Sequence, residues 1–212
     1  MEGFDGTLKI AFDFGGYQNC DIEVSNIVFK EHQYDDGTII PAAANVPEIS
    51  EADNIFANFE VVKYTTWFAD GSWNADGITQ PEIVFFNDGY SFIAPEGIGS
   101  DQWQGQVHVW TNVETSADNK YDFVMNIQSD RDVNGVTVKL QKGDSLGEDT
   151  KTDDESYIVL DRVNVEAGTT YLYYFKGKQG IDTKNLQLCM DYAGAPGKAN
   201  ITVSGIKMQV AK

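Results

Sequence analysis

Apolar and polar residues alternate along most of this chain, and the period is two. From Gln104 to Val113, Gly105, Val107, Val109, Thr111 and Val113 fall on one face of an extended strand, while Gln104, Gln106, His108, Trp110 and Asn112 fall on the other. Side chains on a strand point alternately to opposite faces, so the first set predicts a core face. The same alternation sets Tyr121, Phe123, Met125 and Ile127 inward in "KYDFVMNIQSD". Val136, Val138 and Leu140 face inward in "GVTVKLQK", and Leu186, Leu188, Met190 and Tyr192 in "LQLCMDYAG". In "TTYLYYFKGK" the inward set is Tyr171, Tyr173 and Phe175. "NIFANFEVV" is expected to open a strand at Asn54, and "YTTWFADGSWNADG" to be a polar loop. "PEIVFFNDGYSFIAPEG" reads as a hairpin turning at Asn87–Gly89. No segment carries helical periodicity. The expectation is an all-β chain built as a sandwich or barrel.

The two ends of the chain repeat one another. "LKIAFDF", a Gly-rich turn and "IEVSNIVF" match "LQLCMDYAG", a turn and "ITVSGIKM", strand for strand. Asp13 matches Asp191, Gly16 matches Gly194, and Ser25 matches Ser204. Residues 1–33 therefore read as the C-terminal hairpin of a preceding repeat module. Residues 34–50, with two prolines and an alanine run, read as a linker, and residues 51–212 as a complete module.

Composition narrows the partners. The chain has 212 residues and a net charge of −18. No basic stripe suited to nucleic acid is visible, and an anionic membrane surface is disfavoured for the same reason. No apolar run reaches the length that spans a membrane. Cys20 and Cys189 form neither a disulfide framework nor a metal motif and read as unpaired thiols. An acidic surface suits a neutral ligand. The polar face of the 104–113 strand carries two amides, an imidazole and an indole, with Trp103 at its entrance. An aromatic face buries the C–H face of a sugar ring, and amides and imidazole bond its rim hydroxyls. Several such contacts reach the micromolar to millimolar range, about 4 to 8 kcal/mol.

The order of features resembles the β-jelly-roll carbohydrate-binding modules of families 4, 9 and 22. Such modules open with a strand of the type seen in "NIFANFE", Asn54 to Glu60. They continue through a Gly-flanked hairpin to a Trp-containing strand, here Trp103, Gly105 and Gln106, and end on a hairpin matching Leu188 to Met208. Tandem modules inserted in family 10 xylanases of gut bacteria are similar in arrangement. The resemblance implies an all-β jelly roll, here with an extra N-terminal hairpin, and a non-catalytic function. The ligand would be a β-linked polysaccharide, with xylan favoured over β-glucan. It also implies a catalytic domain in the same full-length chain and a secreted or cell-surface bacterial address. No cofactor is expected beyond a structural calcium. The family often has Asp where this chain has Ser25 and Ser204, which leaves Glu60 as the candidate calcium ligand.

Trp103 is the leading site residue, since the family's matching Trp stacks on sugar. Gln106 and His108 are the expected hydroxyl partners, and Trp110 shares their face. Tyr90 is a candidate wall of the groove; Trp67 and Trp73 are candidates from the loop, and Tyr174 from the outward set of its strand. A glycoside hydrolase would need two carboxylates about 5 to 10 Å apart across the cleft. The 104–112 strand has none, although Glu96 and Asp101 lie nearby in sequence. A structural or adhesive sandwich is the third reading.

Overall fold

The computed structural model describes residues 38–39, 46–143 and 157–212. The chain divides into two units, residues 1–33 and residues 34–212, and every described residue belongs to the second. The N-terminal hairpin, its repeat relationship, Cys20 and the acidic stretch 144–156 lie outside the described residues.

Among the described residues, eleven strands form two sheets. They are β1 (Thr38–Ile39), β2 (Val61–Phe68), β3 (Val84–Phe86), β4 (Gly89–Ile93), β5 (Gly105–Thr111) and β6 (Lys120–Ser129). Then come β7 (Val133–Lys142), β8 (Tyr157–Val165), β9 (Thr170–Gln179), β10 (Leu186–Asp191) and β11 (Asn200–Val210). One sheet has the order β1-β9-β6-β11-β4-β3 and the other β2-β5-β10-β7-β8. All pairings among these strands are antiparallel except β1 with β9. The chain passes repeatedly from one sheet to the other, and the result is a β-sandwich of jelly-roll type.

The alternation places the core where the sequence puts it. Val107, Val109, Phe123, Met125, Ile127, Val138, Leu140, Leu188 and Met190 are all buried between the sheets. Phe123 stacks on Phe175, ring centroids 5.3 Å apart, and meets Tyr173 and Phe56 edge-on. Each large buried side chain contributes about 1.5–3 kcal/mol of transfer free energy. In β11 the inward set runs Ile201, Val203, then Ile206 and Met208, a break in parity. A bulge between Ser204 and Lys207, with Gly205 at φ 61°, absorbs the extra residue.

Three local expectations change. "NIFANFE" forms turns, not a strand: the Asn54 side chain accepts hydrogen bonds from the Phe56 and Met208 backbone N–H groups, at 3.0 and 3.1 Å. Asn58 has φ 62°, which a strand cannot hold. Conversely "YTTWF" is strand, the second half of β2, because its backbone pairs with β5 through Phe68–Gly105. Within the stretch read as linker, Thr38–Ile39 form β1.

Candidate binding face

The outer face of the five-stranded sheet collects the polar residues that alternate with the core. Pairing register lays them out in rows that cross the strands β2, β5, β10 and β7 in turn. One row is Trp67, Gln106, Asp191 and Thr137, reaching Arg162 on β8. The next is Thr65, His108, Cys189 and Lys139, and the third is Lys63, Trp110, Gln187 and Gln141. Strands lie about 4.8 Å apart, so Trp67 and Thr137 are separated by roughly 14 Å across the sheet.

Amides and an imidazole make a continuous polar floor. His108 Nε2 lies 3.3 Å from Gln106 Oε1, and its Nδ1 lies 3.1 Å from Gln187 Nε2. With the two amides oriented this way, Nε2–H donates to Gln106 and Nδ1 accepts from Gln187. Gln141 Nε2 donates in turn to Gln187 Oε1. The chain of bonds spans β5, β10 and β7, and it fixes where each amide points.

Indoles border this floor on two sides. Trp67, on β2, pairs tilted with Trp73 at a centroid distance of 5.9 Å. Trp73 is 48% exposed and sits at φ 63° in a turn built on Asp70. Asp70 Oδ1 accepts from Ser72 N at 2.8 Å and from Asn74 N at 3.0 Å. Trp103 comes from the opposite side: its ring centroid lies 4.0 Å from Lys139 Nζ. It too has a left-handed backbone, φ 80°, a conformation that costs of order 1–3 kcal/mol outside glycine. A single carboxylate holds it there. The Trp103 N–H donates to Asp191 Oδ2, and Asp191 Oδ1 accepts from Ala193 N at 2.9 Å. Burial pushes the Asp191 carboxyl up from the ordinary range, against the lowering pull of those two N–H groups, Lys139 and Arg162.

The sequence-predicted residues therefore separate. Trp103, Gln106, His108 and Trp67 share this face, with Trp73 in tilted contact with Trp67 at its edge. Trp110 lies on the same face but is only 4% exposed, packed on His108 with Lys63 Nζ 5.4 Å above its ring. It buttresses the imidazole and offers no open ring, which corrects its place among the ligand contacts while leaving it on the expected face. Tyr90 is corrected outright: it points into the core from β4, and its hydroxyl bonds that of Tyr192 at 2.8 Å. Tyr174 is half-buried on the outer face of the other sheet, opposite Val124, and so is remote from these rows. Glu60 engages Asn112 through its backbone, and no group of three His, Cys, Asp or Glu able to hold a metal occurs among the described residues.

Lys139, Gln141, Gln187, Asp191 and Thr137 also belong to this face, and the sequence pattern does not single them out as site residues. Their signal is nonetheless present: polar positions alternate with core ones in the two central strands β7 and β10. A separate cleft of about 520 Å³, lined in part by Glu114, Lys142, Asp182 and Lys184, holds none of the predicted residues.

No family model and no curated protein matches the chain. Among solved structures it is similar to one titled "CBM4 structure and function", at 14% identity and TM-score 0.46, covering 76% of this chain and 91% of that one. It is also similar to the N-terminal cellulose-binding domain of Cellulomonas fimi β-1,4-glucanase C, at 10% identity and TM-score 0.48, covering 76% and 95%. A third is the apo form of BiXyn10A CBM1, at 8% identity and TM-score 0.46, covering 74% and 95%. These are likenesses of overall shape.

Proposed function

We propose that this chain is a non-catalytic module that binds a β-linked polysaccharide across the outer face of its five-stranded sheet. The observation that carries the reading is the placement of indoles on both sides of an amide-lined floor. Trp67 and Trp73 stand at one border and Trp103 at the other; the half-buried Gln106 and His108 lie between, held in place through the buried Gln187 and Gln141. A sugar chain laid across the strands would meet ring faces at its ends and hydroxyl partners along its middle. Xylan is the favoured ligand and β-glucan the runner-up, and the module would direct an attached glycoside hydrolase to its substrate from a secreted or cell-surface position.

Hydrolysis on this face is disfavoured by its charges. The three rows contain one carboxylate, Asp191, and both its oxygens already accept backbone N–H groups. Glu96 is tied to Lys198 at 3.0 Å. A paired acid and base across a bound sugar is therefore lacking among these residues.

Affinity electrophoresis in gels containing xylan or β-glucan tests the proposal. Retarded migration without release of reducing sugar is the expected result, and Trp103→Ala should abolish the retardation while the fold persists. Parent protein that runs unretarded in every glycan would overturn it. The adhesive reading draws on a different observation: Val62, Tyr64, Val84, Phe86 and Ile93 are exposed on β2, β3 and β4. Self-association in sedimentation, with no glycan retention, would favour it.

A further inference from the structure

We infer that the glycan taken by this face bears a carboxylate, as a uronic acid unit does, and that Lys139 receives it beside Trp103. This rests on the glycan-binding proposal and narrows its ligand class.

Lys139 is 4% exposed, an unusual position for an ammonium. Its Nζ sits over the Trp103 ring, and it makes no hydrogen bond or ion pair among the described residues. An ammonium has three donors, and one ring face does not satisfy them. Lys139 Nζ is not among the fully buried unpartnered atoms, so its remaining donors reach the surface of the sheet while its stem is buried. Asp191 is the carboxylate of the adjacent row, but its oxygens are committed to Trp103 N and Ala193 N. Arg162 adds a second positive charge at the end of that row. Its Nε donates to Gly135 O at 3.3 Å, and its guanidinium fills the space a Gly135 side chain would take. Between Asp191 and Arg162 lies Thr137, fully buried, whose Oγ1 has no hydrogen-bond partner. Two cations, one committed anion and an unspent hydroxyl thus gather on one corner of the face.

The whole chain is strongly acidic, so its long-range field repels a polyanion. The attraction is local. It acts at hydrogen-bond range, and physiological salt screens the distant repulsion more than a buried pair. An acidic ligand would supply the hydrogen-bonded counter-charge that the committed Asp191 does not, with the exposed Arg162 bonding the remaining oxygens.

Isothermal titration calorimetry tests this with a glucuronic-acid-substituted xylo-oligosaccharide and the same oligosaccharide after reduction of its carboxyl to the alcohol. The acidic form is expected to bind about tenfold more tightly at physiological salt, as one charge-assisted contact gives. In Lys139→Met the ratio of the two affinities should fall to near one, and in the exposed Arg162→Gln it should fall about threefold. Equal affinities in the parent would overturn the inference while leaving glycan binding standing. A ratio unchanged in both variants would also overturn it. Binding of neither oligosaccharide would instead remove the xylan reading beneath it.

Discussion

The hydroxyls of Tyr90 and Tyr192 meet at 2.8 Å in the centre of the sandwich, one from β4 and the other just past the end of β10 in the facing sheet. Both side chains are buried, and burial drives both phenols well above their ordinary ionisation range, so they stay neutral. Each hydroxyl therefore depends on the other. Tyr192→Phe leaves the Tyr90 hydroxyl buried and unsatisfied, and is expected to cost about 1–3 kcal/mol. Tyr90→Phe should cost a similar amount. The double variant should cost clearly less than the sum, since it removes both polar atoms. Urea unfolding of the four proteins gives the cycle directly.

Trp103 is aimed by a residue beside it in sequence. Gln104 is buried, its Nε2 donating to Asp70 O at 2.8 Å and its Oε1 accepting from Asp101 N at 2.9 Å. The bracket ties the turn that carries Trp103 to the turn that carries Trp73. Gly99 makes room for it: a Cβ there would fall 1.9 Å from Gln104 Oε1. Gly99→Ala should expel the amide and cost about 1–3 kcal/mol for the buried groups left unpaired. Retention on glycan should fall with all four tryptophans intact. Thermal melts and affinity electrophoresis on the same sample separate the two effects.

Trp73 is the more exposed member of its pair, and Asp70 shapes its turn. Trp73→Ala is expected to weaken glycan binding about fivefold, near 1 kcal/mol, with little change in stability. Asp70→Ala removes the acceptor of the Ser72 and Asn74 N–H groups and should reproduce part of that loss without touching an aromatic ring. Calorimetric titration with a xylo-oligosaccharide compares them.

Much of this architecture is legible from alternation, because a period of two leaves few choices for which residues are buried. Val107 and Val109 in β5, or Met125 and Ile127 in β6, are assignable to the core on that basis alone. Alternation gives the face of a strand but not the sheet it joins, nor its depth. It misplaces Tyr90 and Tyr174 for that reason: one points inward from β4, the other lies on the far sheet. Alternation puts Trp110 on the right face, but Lys63 and His108, which close over it, come from register that no local pattern encodes. Trp67 reads as loop because Thr65, Thr66 and the following Asp-Gly run look like a turn; pairing with β5 overrides that local preference. Lys139 escapes notice because a lysine between Val138 and Leu140 looks like any solvated strand residue.

Asp191 links the fold to pH. Its carboxyl is raised chiefly by burial, so the native state holds that proton to higher pH than the unfolded chain does. Between its unfolded value of 3.8 and its higher folded value, the native state binds more protons, and stability from this group falls as pH rises. The contribution is fully present below the unfolded value and is lost on passing through the folded one. Glu51, Asp53 and Asp130 are lowered by their hydrogen-bonding partners and act in the opposite sense, but all three are solvent-exposed and screened. Asp191→Asn isolates the buried group. The stability of the parent minus that of the variant should decline as pH is raised from about 4 toward neutrality, then level off. Because Asn has one acceptor oxygen where Asp has two, the variant also frees the Trp103 or the Ala193 N–H, and its glycan retention should be reduced at every pH. A stability difference that rises across the same interval, measured by urea unfolding at fixed salt, would show that the N–H groups outweigh desolvation at this carboxylate.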